Sequence, residues 1–341
     1  MTAETVPVLL LGFNRPDKLR RVIEPLRAIR PQRVFVAVDG PRAAREGEAG
    51  RCLATQRAAE EAIDWPCEKH FLLRPHNLGC RAAVSGAITW AFQQVEELLI
   101  IEDDCIIDPS FVALCQVLLD RYRNDERIWN IAAVNFQQGR HRGDGDYYAS
   151  KYPHCWGWAT WKRAWRHYTD DMAALSPGDD RHADPREKDY WRLIFDKCAK
   201  GKVDSWAYRW TFRCWQQGGL TLLPNANLVT NIGFDQEATH TGGEAGGSRA
   251  LQHLGSFAAP STLAVEIEAD QFTFDHVFCP AGSPAEVEIL DYARKQAERA
   301  AKEEARAARE QRRTTRHVDE AAEWTRKHPL RAWWRKVRGK V

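Results

Sequence analysis

Glu102-Asp103-Asp104 close the apolar run Leu98-Leu99-Ile100-Ile101, and no other stretch of the chain is better suited by residue type to chemistry. Crowded carboxylates repel one another. The repulsion is relieved when a hard cation such as Mg or Mn takes their oxygens and shares them with substrate phosphates. A short apolar run bounded by turn residues reads as a buried strand, and acids at its C-terminal end sit where open α/β sheets bind ligands. The competing reading is a solvated strand end whose acids cap the following helix, which Asp108-Pro109 opens.

The elements around the triplet repeat this arrangement. Residues 6–13, 33–38, 69–73 and 128–134 are further strand candidates, and helical spacing follows over 18–23, 80–94 and 108–119. Alternation of this kind implies right-handed βαβ units and a mostly parallel sheet with helices on both faces, an α/β, Rossmann-like class. Polar residues then collect at one sheet edge. Asn14 and Arg15 end the first strand, Asp39 the second, and Asn77, Gly79 and Arg81 follow the third. Any one of these alone would be an ordinary turn residue; together they outline a ligand-binding edge.

Beyond Asn135 the texture changes. Fourteen tryptophans are present in the chain, and many fall between Trp156 and Trp215. The segment containing Trp156, Trp158 and Trp161 is too aromatic and too glycine-broken for a plain helix. Helices are expected over 189–200 and 208–217, the latter ended by Gly218-Gly219, and a short strand over 220–224. No repeat is visible.

Composition bounds the rest. With 341 residues, 44% hydrophobic and 28% charged, the chain is globular in type, and no run of apolar residues is long enough to span a membrane. No basic-then-apolar leader is visible and the nine cysteines show no paired metal-finger spacing, so the expectation is a cytoplasmic protein with reduced thiols. The net charge of +2 hides an asymmetry: residues 291–341 carry +8 and the remainder −6. Residues 285–323 read as one long solvated helix rich in Ala, Arg and Glu. Basic residues interleaved with Trp333 and Trp334 over 327–341 fit peripheral contact with an anionic membrane surface. Nucleic acid is the rival partner and a disordered tail the plain alternative.

With these motifs placed, the chain resembles the nucleotide-sugar-dependent glycosyltransferases of the GT-A fold. Within them it is similar to bacterial relatives of the N-acetylglucosaminyltransferase I type and family 2 transferases. The resemblance covers roughly residues 5–245. It rests on Phe13-Asn14-Arg15-Pro16, Asp39-Gly40, Asn77-Leu78-Gly79, the acid triplet, Cys155-Trp156-Gly157-Trp158-Ala159-Thr160-Trp161, and the run from Asn225 through Asn231 and Gly233 to His240. The organisation it implies is a domain over 1–250, with a nucleotide-sugar half at 1–135 and an acceptor half at 136–250. A connecting segment at 251–284 and a basic helical tail at 285–341 follow.

The resemblance also implies roles. Asp104 would hold Mn or Mg against the diphosphate of a UDP-linked donor, with His240 as a further ligand. Glu102 and Asp103 would orient the metal or bind ribose, Asp39 would accept from uracil or ribose, and Arg15 and Arg81 would meet phosphate oxygens. Trp156 and Trp158 would form the acceptor pocket for a glycan or lipid-linked hydroxyl. Inverting transfer needs a base, for which Asp204 is the candidate. The alternatives are that Asp204 caps a helix, or that Asp235 or Glu237 takes the role. Relatives often carry an acid directly after Trp206, where this chain has Ala207. Two other readings are a sugar nucleotidyltransferase, which would need a glycine-rich loop after the first strand, and a non-catalytic glycan-binding or membrane-active protein.

Overall fold

The computed structural model describes residues 5–172, 184–234 and 249–330. The chain divides into two units, Met1–Ser283 and Pro284–Val341, and each is treated by itself.

In the first unit four parallel strands lie side by side: β1 (Val8–Gly12), β2 (Arg33–Val38), β3 (Glu68–Leu73) and β4 (Glu97–Glu102). β1 sits between β2 and β4, and its Val8, Leu9 and Leu10 are completely buried. Unbroken apolar runs such as Leu98-Leu99-Ile100-Ile101 form because helices cover both faces, so neither parity of the strand meets water. Those helices are α1 (Pro16–Ile23), α2 (Leu26–Ile29), α3 (Glu48–Ala62), α4 (Gly79–Ala91) and α5 (Pro109–Arg121). α1 packs on α3. Pro109 opens α5, and Asp108 caps it by accepting from the Ser110 N–H at 2.8 Å. The acid triplet is therefore not the helix cap, which removes the competing reading of those residues.

A short β5 (Cys105–Ile107) follows the triplet. The sheet then continues through β6 (Ile128–Ala132), β7 (Tyr147–Ser150), β8 (Trp158–Trp161) and β9 (Leu220–Pro224), while β10 (Val229–Asn231) pairs antiparallel with β5. The order is β3-β2-β1-β4-β8-β6-β9-β7. β8 runs antiparallel to β4 and β6, and β7 antiparallel to β9, so the sheet is mostly parallel with two reversed strands. α6 (Lys162–Trp165), α7 (Pro185–Ala199) and α8 (Trp206–Gln217) accompany this half. Gly218 ends α8 in the left-handed conformation at φ 80°, where a side chain would be strained.

Of the segment 251–284, read from sequence as a connector, residues 251–283 fall within the first unit. Val265 bridges to Ala149, and α9 (Ile267–Thr273) runs into a π-helical turn at Phe274–Phe278. Asp270, 2% exposed, accepts from Ser150 Oγ at 2.5 Å and from the Lys151 N–H at 3.1 Å. Burial pushes its carboxyl up to about 6. These bonds fasten α9 to β7.

The second unit holds α10 (Pro284–Lys327), one helix of 44 residues. Among the described residues no helix is long and apolar enough to cross a membrane.

Candidate functional site

The register of the parallel strands sets the site. Leu11 is opposite Glu102, Gly12 opposite Val38, and Val38 opposite Leu73, so four strands end at nearly one level. Their following residues surround a cleft of about 450 Å³. Arg15 comes from β1, Asp39 from β2, Arg74, Asn77 and Gly79 from β3, and Glu102, Asp103 and Asp104 from β4.

The acids are not equivalent. Arg15 Nη1 lies 3.0 Å from Asp104 Oδ2 and 3.3 Å from Asp103 Oδ1. The Glu102 side chain makes no hydrogen bond or ion pair among the described residues. Burial first, then the charges of Asp104 and Asp103, push its carboxyl up to about 8. Burial also raises Asp103 to about 7, against the pull of Arg15. Negative charge at this point is thus under-compensated, as a cation site requires.

Asp104 is held from the far side by the β5–β10 pair. Asn231 Nδ2 reaches Asp104 Oδ1 at 3.4 Å, and the Ile232 N–H donates to the Asp104 carbonyl at 2.8 Å. The Gly233 N–H donates in turn to Asn231 Oδ1 at 2.7 Å. A Cβ on Gly233 would stand 2.2 Å from Asp104 Oδ2, so only glycine lets this segment close on the carboxylate. Among the described residues no three His, Cys, Asp or Glu side chains converge on a point. A Mg-like ion needs no such cage, because it is held by one or two carboxylates with phosphate and water completing the shell. Glu102 and Asp104 supply such oxygens and fit that role. His240, Asp235 and Glu237 lie outside the described residues.

Asp39 is 6% exposed, and its oxygens are engaged by its own surroundings. The Gly40 N–H at 3.0 Å, the Leu78 N–H at 3.1 Å and Asn77 Nδ2 at 2.9 Å all donate to it. Asn77 Oδ1 accepts from the Gly79 N–H at 3.2 Å. Asp39 therefore ties the β3–α4 loop to the end of β2 while lining the cleft. A Cβ on Gly40 would fall 2.4 Å from the His76 nitrogen, which shows how closely the two loops approach.

Asn14 does not line the cleft. Its amide donates to Glu48 Oε1 at 3.1 Å, on a fully buried carboxylate that also receives Arg42 Nη2 at 2.5 Å. The Arg42 hydrogen bond is the largest influence holding the Glu48 carboxyl down to about 2. Arg42 and Arg74 do line the cleft, and the sequence reading assigned neither. Arg42 closes the Asp39-Gly40-Pro41-Arg42 turn and Arg74 directly follows β3, so strand-end position was the available signal.

Arg81 lies on α4, where Nε donates to Asp204 Oδ1 at 2.5 Å and Nη1 pairs with Asp170. It links α4 to the residues before α8 and is not a cleft wall. Asp204 is half-exposed at the rim: a Cβ on Gly79 would come within 3.5 Å of its Oδ2. The N-cap of α8 is Ser205, which accepts from the Tyr208 N–H, so the alternative reading of Asp204 as the cap does not hold. Trp156 lines the cleft, its ring 5.6 Å from Phe136 and 5.5 Å from Phe234. Trp158 does not. It is 1% exposed in β8, stacked on Trp206 at 5.5 Å, and its expected place in an acceptor pocket is corrected to the core.

No family model and no curated protein matches the chain. Solved structures with partial likeness include a cytidylyltransferase from Leptospira borgpetersenii at 12% identity and TM-score 0.32, covering 54% of this chain and 71% of that one. Another is glucosyl-3-phosphoglycerate synthase from Mycobacterium tuberculosis with Mn2+, UDP-glucose and phosphoglyceric acid, at 12% identity and TM-score 0.27. There the match covers 47% of this chain and 58% of the synthase. A UDP-glucose pyrophosphorylase with UDP-glucose matches at 10% identity and TM-score 0.34, over 64% of this chain and 90% of that one. Likenesses this distant carry neither fold nor activity over to this chain.

Proposed function

We propose that this chain is a metal-dependent glycosyltransferase that moves a sugar from a UDP-type nucleoside diphosphate to a hydroxyl acceptor in surface glycan synthesis. The carrying observation is the meeting of Glu102 and Asp104 with Arg15, Arg42 and Arg74 in one cleft at the ends of four parallel strands. Carboxylates alone would repel a pyrophosphate, and arginines alone would bind any anion. Their combination suits a metal–diphosphate complex.

Mn or Mg held by Asp104, with Glu102 beside it, would supply Lewis-acid neutralisation of the diphosphate leaving group. Arg15 and Arg74 would offer guanidinium N–H groups to phosphate oxygens, while Arg42 lines the cleft with its fork held by Glu48. Arg15, now paired with Asp103 and Asp104, is within reach of that exchange. The wall built by Asp39, Asn77 and Gly79 suits the uracil and ribose, and the Trp156 ring suits a sugar face. Asp204 at the rim is the base for the acceptor hydroxyl, its carboxylate oriented by Arg81. Direct displacement by that hydroxyl inverts the anomeric centre. The acceptor is a glycan or a lipid-linked sugar, and residues 327–341 favour an anionic membrane surface over nucleic acid as the place of work.

A second reading has its own observation. The Asp204–Arg81 bond occupies the candidate base, and a glycan-binding protein that keeps the cleft without turnover would look the same. It predicts UDP-sugar binding without UDP release. Incubation with UDP-sugars and Mn separates the readings: the wild type releases UDP, while Asp104→Ala and Asp204→Asn fall by about 100-fold or more. Equal release by wild type and Asp104→Ala removes the metal assignment.

A further inference from the structure

On α10 six cations recur at alternating spacings of three and four: Arg299, Lys302, Arg306, Arg309, Arg313 and Arg316. At about 100° per residue this rhythm keeps all six within roughly 50° of one line along the helix, over about 26 Å. All six are exposed. Arg316 pairs with Glu320 at 2.8 Å, whereas the other five make no ion pair among the described residues. Glu298, Glu303 and Glu310 stand at the margins of the stripe, Glu320 and Glu323 continue its rhythm between Arg316 and Trp324, and the opposite side is built mostly from small or uncharged residues such as Ala297, Ala300, Ala308 and Ala322. That opposite side has too little apolar surface to bury in a partner helix or to sink among acyl chains. Trp324, 37% exposed, falls on the cationic side two turns beyond Arg316.

We propose that this face of α10 docks on an anionic lipid bilayer, with the six cations against headgroup phosphates and the Trp324 indole at the headgroup boundary. A straight stripe meets a plane along its whole length, whereas a nucleic-acid duplex curves away from it and offers no apolar boundary for an indole. Charge complementarity, rather than insertion, supplies the attraction, so binding weakens as salt rises. The inference concerns residues 299–324 and is independent of the cleft.

The test uses the full chain, with residues 331–341 unchanged, in sedimentation with phosphatidylcholine vesicles that contain or lack phosphatidylglycerol. One variant carries Arg299→Gln, Arg306→Gln and Arg313→Gln. A second, of equal net charge, carries Arg294→Gln, Arg312→Gln and Arg326→Gln, which lie off the stripe. Glutamine keeps helix propensity, and circular dichroism verifies that both variants retain their helix content. Each stripe cation near the surface is worth about fivefold in partitioning, so the first variant loses roughly 100-fold on anionic vesicles and the second only a few-fold. Equal losses in both variants, or a wild-type chain that stays in the supernatant, overturn the proposal. Tighter retention on double-stranded DNA than on the vesicles at the same ionic strength assigns the stripe to nucleic acid and also overturns it.

Discussion

Glu48 links the loop after β2 to the first strand end, because its buried carboxylate receives both Asn14 and Arg42. Its pKa of about 2 in the folded chain lies below the ordinary glutamate value of 4.5. The native state therefore keeps it ionised where the unfolded chain would protonate it. That contribution is fully present above about pH 5 and is lost as pH falls toward 2. Glu48→Gln is expected to lower stability by about 2 kcal/mol at pH 7 and to cost little near pH 2. Thermal melts across that range check it; parallel Tm-versus-pH curves for the two proteins would contradict the role. At this scale the sequence reading placed Arg15, Asp39 and the acid triplet at the cleft because residue type and strand-end position suffice for that. It did not see Glu48 as a partner for Asn14, since a helix-borne glutamate 34 residues away carries no local sign of burial. Trp158 was misplaced for a related reason: an aromatic residue beside a cleft motif looks the same in sequence whether it faces ligand or core.

Among the elements, the β5–β10 pair has the most direct bearing on the site. It brings Asn231 and Gly233 onto Asp104, and its geometry leaves no room for a methyl group at Gly233. Gly233→Ala is expected to displace the Asp104 carboxylate and weaken Mn binding about tenfold or more, with little change in Tm. Electron paramagnetic resonance of free Mn measures this, and wild-type affinity in the variant would show that the segment does not position Asp104. β1, β2 and β4 were legible because burial on both faces gives unbroken Val, Leu and Ile runs, and the exposed to half-buried β3 because its short Phe71-Leu72-Leu73 run stands before a proline- and glycine-bearing turn. β5, β7, β8 and β10 were not. They are three or four residues long, and their aromatic or polar residues owe their strand conformation to neighbours distant in sequence. α3 escaped because its buried side is formed by Cys52, Thr55, Ala58, Ala59 and Ala62, which give no strong helical stripe of large apolar residues.

The whole molecule combines a first unit organised around the buried sheet with a second that is mainly one exposed helix. The two should open by different routes. Amides of β1 and the apolar part of β4 exchange only on global unfolding, whereas those of residues 299–327 exchange through local fraying of a helix with exposed side chains. Hydrogen exchange is expected to show α10 orders of magnitude faster than Val8–Gly12, and equal protection would contradict the division. The compositional break was readable in the sequence as the +8 of the last 51 residues. Membership of 251–283 in the first unit was not, because bonds such as that from Ser150 to Asp270 span 120 residues. The central claim, that a cation held by the acids after β4 draws a diphosphate into the cleft, is tested most directly by calorimetric titration of UDP with and without Mn. Wild-type affinity should rise at least tenfold with Mn while that of Asp104→Ala does not change. The same Mn enhancement in both proteins, or none in the wild type, would contradict it.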